Sequence, residues 1–344
     1  MIPETMKAVL YYGPKEIRLE NVPIPQPGPG EVLLKVGAAL TCGTDFKAYR
    51  QGHRVLLGDL PSPFGHELAG VVAAAGDGVS LAAGTRVVAA NSAPCAGCFF
   101  CERGQTQLCE RLKLHNGAYA EYNLVPAHIV SRNVYPIGDA LPFEVAALAE
   151  PLACAVHGVD VLQVQPEDSV AVIGAGIMSM LLIEVLKARG ARVCVVGRGP
   201  DGLARAREAG AHQTVSVESG DPVGQARSFG GGRGCDHVIE AVGKADTWQL
   251  AVEMVRPGGK VCLFGGCAQG TRVSLDAHRI HYSQISLFGV FHHTPKYFAA
   301  AIELLKSGKI DHSRLITASI PLDAVPGYFR RMHERSNPKV AVLP

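Results

Sequence analysis

The pattern of apolar and polar positions changes character part-way along the chain. Up to about residue 150 the apolar runs are short and broken by glycine and proline. They carry β-type patterning at 7–11, 31–36, 69–74 and 86–90. Pro23, Pro25, Pro27 and Pro29 predict a rigid, extended connection before the second of these strands. This half reads as a strand-rich, barrel-like unit with long functional loops. After about residue 155, short apolar strands alternate with helical stretches. Strands are expected at 169–173, 193–196, 214–217, 237–241, 261–265 and 286–291. The helix after the first runs to Arg189, with Ile177, Leu181, Val185 and Ala188 at helical spacing. Further helices are expected at 203–209, closed by Gly210, and at 247–255. Strands that are apolar on both faces and alternate with helices predict a parallel sheet covered on both sides. Near Pro295 the alternation stops. An amphipathic helix at 298–307 and strand-like runs at 319–322 and 340–343 are expected to return to the first unit. That unit then comprises 1–154 and 296–344, around a second unit at 155–295.

The length of 344 residues accommodates these two domains. Lys plus Arg number 33 and Asp plus Glu 31, so no basic excess points to nucleic acid or an anionic membrane. The charge-free stretch 170–183 is too short to span a bilayer. The start of the chain lacks a basic segment followed by an apolar one, so a cytoplasmic protein is expected.

The ten cysteines are too few for a disulfide scaffold, but four fall between Cys95 and Cys109. Cys95, Cys98, Cys101 and Cys109 form C-x2-C-x2-C-x7-C. Four thiolates at such spacing close a tetrahedron around one zinc ion. An iron–sulfur cluster uses similar spacing and is the second reading. Four cysteine ligands leave no position for a substrate, so this metal is structural: it clamps a lobe at about 91–112 that has little core of its own.

A second constellation is Cys42, His66 and Glu67, each close to a glycine in the strand-rich half. Three protein ligands leave a fourth zinc position open, where a hydroxyl is acidified or a carbonyl polarised. Glu150, before Pro151, is a candidate extra or exchangeable ligand. On residue types alone, a lone cysteine and a lone histidine are more often core residues than ligands.

A third motif, Gly174-Ala175-Gly176-Ile177-Met178-Ser179, sits between an expected strand and helix. It follows G-x-G-x-x-G with Ser179 in the last place. Gly174 serves the tight turn, and Gly176 lets a pyrophosphate approach the helix N-terminus at Ile177 and Met178. The next strand ends in Gly197-Arg198-Gly199, with no carboxylate for ribose hydroxyls. Arg198 suits a 2′-phosphate, which favours NADP(H) over NAD(H).

Together these motifs resemble the zinc-dependent medium-chain dehydrogenase/reductase superfamily, as do Met6-Lys7-Ala8-Val9 and Glu150-Pro151-Leu152. The pattern of Glu67 and Glu150 is closer to the polyol and threonine dehydrogenase branch. The resemblance implies an α/β chain with a GroES-like β-barrel catalytic domain beside a Rossmann doubly wound parallel sheet. It implies a catalytic zinc on Cys42, His66 and Glu67, with Glu150 near or on it, besides the structural zinc. It implies that Asp45 orients the histidine ligand and that Thr44 passes the substrate proton onward. Lys47 stands where many relatives carry the relay histidine, and Ala48 where polyol dehydrogenases often carry tyrosine. His292, in Phe291-His292-His293-Thr294, falls where the branch often has an arginine facing the substrate. Gly202 replaces a ribose-side basic residue. His115, Asn116, Tyr119 and His292 are the expected pocket lining. The implied activity is reversible oxidation of a secondary alcohol, with a polyol, sugar alcohol or cyclitol favoured. The resemblance also implies a homodimer or homotetramer, with 286–291 as a candidate edge. Two alternatives are a metal-independent NADPH-dependent carbonyl reductase and a non-catalytic nucleotide-binding protein of the same fold.

Overall fold

The computed structural model describes residues 1–53, 57–332 and 339–344. Six parallel strands form one sheet in the order Gln213–Ser216, Arg192–Gly197, Ser169–Ile173, Cys235–Glu240, Val255–Leu263, Ser286–Gly289. The first strand in sequence is therefore central, and the order reverses beside it, which opens a crevice at the strand C-termini. Ser169–Ile173 is buried on both faces, as its unbroken apolar run requires. The helices Ile177–Ala188 and Ala149–Asp160 share its core. Ser286–Gly289 lies at the sheet edge and ends before Phe291, which is exposed.

The other large sheet joins Val134–Pro136, Arg86–Ala89, Glu67–Ala75, Val32–Leu40, Lys339–Leu343 and Ile316–Pro321 in that order, with Tyr122–Val125 also on Val32–Leu40. Its last two strands come from the chain's final 30 residues. Leu40 is the pivot: it pairs with Glu67 on one side and Ala341 on the other. A three-stranded sheet, Glu16–Pro23, Thr5–Gly13 and Ser62–Pro63, lies beside it. Here Phe46, Tyr49, Phe64, Tyr119 and Phe329 build an aromatic core.

Several elements escape the pattern reading, among them strand Tyr122–Val125 and helices Phe143–Ala147 and Pro222–Phe229. Glu16–Pro23 is a strand antiparallel to Thr5–Gly13, so Val32–Leu40 is the third strand rather than the second. Its alternation, carried by Ile17 and Leu19, lapses at Asn21 and Val22, so the apolar phase does not hold along the strand. Helix Ala149–Asp160 is buried almost throughout, so it has no polar face to betray a 3.6-residue period. Helix Gly43–Gln51 is short and mostly polar, and packs its aromatics inward. The helix expected at 298–307 begins at Pro295, capped by Thr294, and its Phe298, Ala301, Ile302 and Leu305 lie in one core with helix Ala149–Asp160.

Candidate active site and metal centres

Two groups of metal donors stand in contrasting surroundings. In the first, the Sγ atoms of Cys95, Cys98, Cys101 and Cys109 all lie within 4.8 Å of one another. Cys95 and Cys101 are 3.9 Å apart, as are Cys98 and Cys109. A zinc tetrahedron with Zn–S bonds of about 2.3 Å needs sulfurs about 3.8 Å apart. The backbone N–H of Gly97 leads in drawing the Cys95 thiol down to about 6, against burial. The one-turn helix of this lobe, Phe99–Glu102, contains no buried residue, and Phe99 and Leu108 are exposed. The donor set fits a closed metal site, and a lobe without a core needs one.

The second group is Cys42, His66 and Glu67, whose donor atoms also lie within 4.8 Å of one another. Cys42 ends the loop after strand Val32–Leu40 and caps helix Gly43–Gln51, its Sγ 3.4 Å from the Thr44 N–H. Burial raises its thiol, but Lys339 and His66 outweigh this and bring it to about 7. The Asp45 carboxylate accepts from His66 Nδ1 at 2.7 Å, which leaves the other ring nitrogen toward Cys42. A histidine whose far nitrogen is fixed by a buried carboxylate is prepared for a metal. The residues present fit a zinc ion with an open position.

Behind Asp45 stands Tyr119. Its hydroxyl donates to Asp45 Oδ2 at 2.5 Å and lies 3.2 Å from the Leu40 carbonyl. The side chain is fully buried between Phe64 and Phe329. Tyr119 therefore does not line a pocket as expected; it braces Asp45, and through it His66, from behind. Gly65, at φ +86°, admits the Tyr119 ring where a Cβ would sit 2.8 Å from it.

Glu150 is buried in the first turn of helix Ala149–Asp160. It belongs to a third donor group, with His292 and His293, rather than to the Cys42 trio. His293 Nε2 lies 3.6 Å from Glu150 Oε1 and 3.0 Å from Asn91 Oδ1. His292 adopts φ +59°; its carbonyl accepts from His157 Nδ1 at 2.7 Å and its Nε2 lies 2.6 Å from Ser92 Oγ. Burial, then the neighbouring His66 and His157, holds His292 down at about 4, so it is neutral at pH 7. Asn91, Ser92, His157 and His293 were not anticipated. Only the His292-His293 pair left a trace in the sequence.

The remaining candidates separate. Thr44 is half-buried, and its hydroxyl has no partner among the described residues. Lys47 is exposed. His115 Nε2 sits 2.8 Å from Asn123 Oδ1, and Asn123 Nδ2 donates to the Asn116 carbonyl. His115 and Asn116 thus brace their own loop.

In the parallel-sheet unit, Gly174 takes φ +119°, with Ser179 Oγ 3.2 Å from where its Cβ would be. A small residue suffices at Ser179 for that contact. Gly176 opens helix Ile177–Ala188 without a side-chain cap, and nothing lies within 4 Å of its missing Cβ. Uncapped N–H groups above an open glycine fit a pyrophosphate. Gly202 faces Ala175, whose Cβ and carbonyl oxygen would both be 3.0 Å from a Cβ there, so it lets helix Pro200–Glu208 approach the turn. Arg198 is exposed and unpaired among the described residues.

The chain matches the alcohol dehydrogenase GroES-like domain over residues 28–136 and the zinc-binding dehydrogenase model over 178–307. It is 33% identical to the erythritol/L-threitol dehydrogenase of Mycolicibacterium smegmatis, over 93% of this chain and 92% of that one. The chain belongs to the zinc-dependent medium-chain dehydrogenase family. Within this family it is an NAD(P)-dependent oxidoreductase of the alcohol and polyol dehydrogenase type, with a GroES-like domain beside a Rossmann sheet. The sorbitol dehydrogenase of Bacillus subtilis is 30% identical over 100% of this chain and 98% of that one. A protein assigned as a zinc-binding dehydrogenase from Sinorhizobium meliloti 1021, solved with NADP bound, superposes with a TM-score of 0.90 at 31% identity. That match covers 99% of this chain and all of the other. Among the described residues no helix is long and apolar enough to cross a membrane.

Proposed function

We propose that this dehydrogenase interconverts a secondary hydroxyl of a sugar alcohol or cyclitol and the corresponding ketone. It favours NADP(H) and carries one catalytic and one structural zinc per chain. The observation that carries the reading is the trio of half-buried Cys42 and buried His66 and Glu67, with His66 already oriented by Asp45. When bound, zinc supplies a Lewis acid and the nicotinamide a hydride acceptor. The chain's own residues do the rest. Cys42 and His66 are the strong donors, and Glu67 is the third. Asp45, braced by Tyr119, keeps one histidine nitrogen free for the metal. The unpartnered Thr44 hydroxyl takes the substrate proton and hands it outward, with exposed Lys47 and water at the outer end. Gly174, Gly176, Ile177 and Met178 form the pyrophosphate cradle.

A substrate with several hydroxyls suits the polar wall of Ser92, His292 and Glu150, and the names of the erythritol/L-threitol and sorbitol dehydrogenases agree with it. The unpaired Arg198 at the end of strand Arg192–Gly197 and the NADP in the Sinorhizobium protein support the cofactor preference. The edge strand Ser286–Gly289 supports pairing of copies into a homodimer or homotetramer. The test is a rate panel of sugar alcohols, cyclitols, simple secondary alcohols and threonine, each with NAD⁺ and NADP⁺. Turnover of a polyol is expected. Arg198→Ala should lower kcat/KM for NADP⁺ about tenfold or more, the scale of one charge-assisted hydrogen bond, and leave NAD⁺ nearly unchanged. Equal loss with both cofactors removes Arg198 from the 2′-phosphate.

A further inference from the structure

Lys339 lies wholly inside the protein, at 2% exposure, in the last strand of the chain. Its ammonium donates to Glu67 Oε1 at 2.6 Å, to Glu67 Oε2, and to the Thr41 carbonyl at 3.1 Å. All three of its protons are thereby directed at the metal site's own loop and strand. Thr41 and Val340 clasp each other in both directions: Thr41 N–H donates to the Val340 carbonyl, and Val340 N–H to Thr41 Oγ1, each at 3.0 Å. The ammonium is therefore locked in place by main-chain contacts. Both oxygens of Glu67 are taken by one cation, and among the described residues no other buried lysine or arginine touches the trio.

We propose that Lys339 is a positioning residue that holds Glu67 back from full metal ligation, so that Glu67 serves as a weak, displaceable third donor. A free carboxylate beside Cys42 and His66 would bind a divalent ion firmly as its third protein donor. A carboxylate sharing its charge with an ammonium binds less firmly. How readily Glu67 yields its place then depends on a residue 272 positions away in sequence. The proposal rests on the reading that Cys42, His66 and Glu67 hold the metal.

The test uses the full-length protein loaded with Co²⁺ in place of zinc, with the four-cysteine lobe as a constant spectral background. Lys339→Met should change the cobalt d–d bands and slow release of the catalytic metal to a chelator by about tenfold, the scale on which outer contacts tune metal sites. It should also weaken the spectral response to added imidazole. Lys339→Arg should restore the wild-type spectrum, and Lys339→Met with Glu67→Gln should cancel the slowing. A second measurement needs no substitution: imidazole should shift the wild-type cobalt spectrum at millimolar concentration. A wild-type spectrum blind to imidazole overturns the proposal. So does a Lys339→Met protein that is folded by circular dichroism, binds two metals and releases them at the wild-type rate. One metal per chain in the wild type overturns the metal-site reading itself, and this proposal with it.

Discussion

The two metal-donor regions are built on opposite plans. The lobe at Cys95 to Cys109 draws all its donors from 15 consecutive residues, near the surface, with no buried residue in its short helices. The trio of Cys42, His66 and Glu67 comes from two strand ends and a helix cap, with His66 and Glu67 buried and Cys42 half-buried, and is supported by Asp45, Tyr119, Lys339 and the His292 loop. On the proposed reading, a metal would make the structure of the lobe, whereas the trio is shaped for a metal by the structure around it. A local site needs only its ligands at the right spacing. An open site must also keep a position vacant, and that takes support from several elements.

The largest effects should fall on the trio. Cys42→Ser is expected to cut turnover at least 100-fold and to lower bound zinc from two to one per chain, with the circular dichroism unchanged. Full activity in that variant would break the comparison, because the trio would then be dispensable. Cys109→Ala should do the reverse. It should leave the trio loaded but let the lobe open, so that trypsin cuts at exposed Arg103 or Arg111 about tenfold faster than in the wild type. Resistance equal to the wild type would mean that the lobe holds itself together without metal.

Tyr119→Phe sharpens the contrast at one remove. It deletes the hydroxyl behind Asp45 and should weaken catalytic metal affinity about tenfold, leaving the lobe metal untouched; competition with a chelator measures both. A further effect, on stability rather than on either metal site, is the response to pH. His292 is held near 4 in the folded protein, against about 6.5 when unfolded. The unfolded state therefore binds the extra proton first as the solution is acidified. Stability present above pH 6.5 should be lost progressively between about 6.5 and 4, by up to about 3 kcal/mol. His292→Gln should flatten that part of the curve in denaturant titrations at pH 5 and 7. Parallel curves for the two proteins would remove His292 as its source.

Legibility follows the same division. Cys95, Cys98, Cys101 and Cys109 declare themselves by spacing. Gly174 and Gly176 declare themselves by their place between a strand and a helix, and strand Ser169–Ile173 by its apolar run. Tyr119 could not be placed from its neighbours Gly117 and Ala118. Whether an aromatic beside a site lines it or braces it depends on which ring it stacks against, here Phe64 and Phe329. Lys339 reads as an ordinary polar start to a strand, because its partner is 272 residues away. His293 and Asn91 meet across 202 residues. Gly202 reads as a lost ribose contact, yet it faces Ala175.

The sequence by itself therefore determined the two-part α/β architecture, the gathering of four cysteines in one lobe and the glycine turn between a strand and a helix. These rest on periodicity and short-range spacing, which the covalent chain carries directly. Tertiary structure alone decided that Lys339 faces Glu67, that Tyr119 stands behind Asp45, and that Glu150 groups with His292 and His293. Those partners meet only when strands from the two ends of the chain pair on either side of Leu40 and the His292 loop closes over Asn91. Burial then compels each charged or polar group to take whichever partner the packing brings within reach.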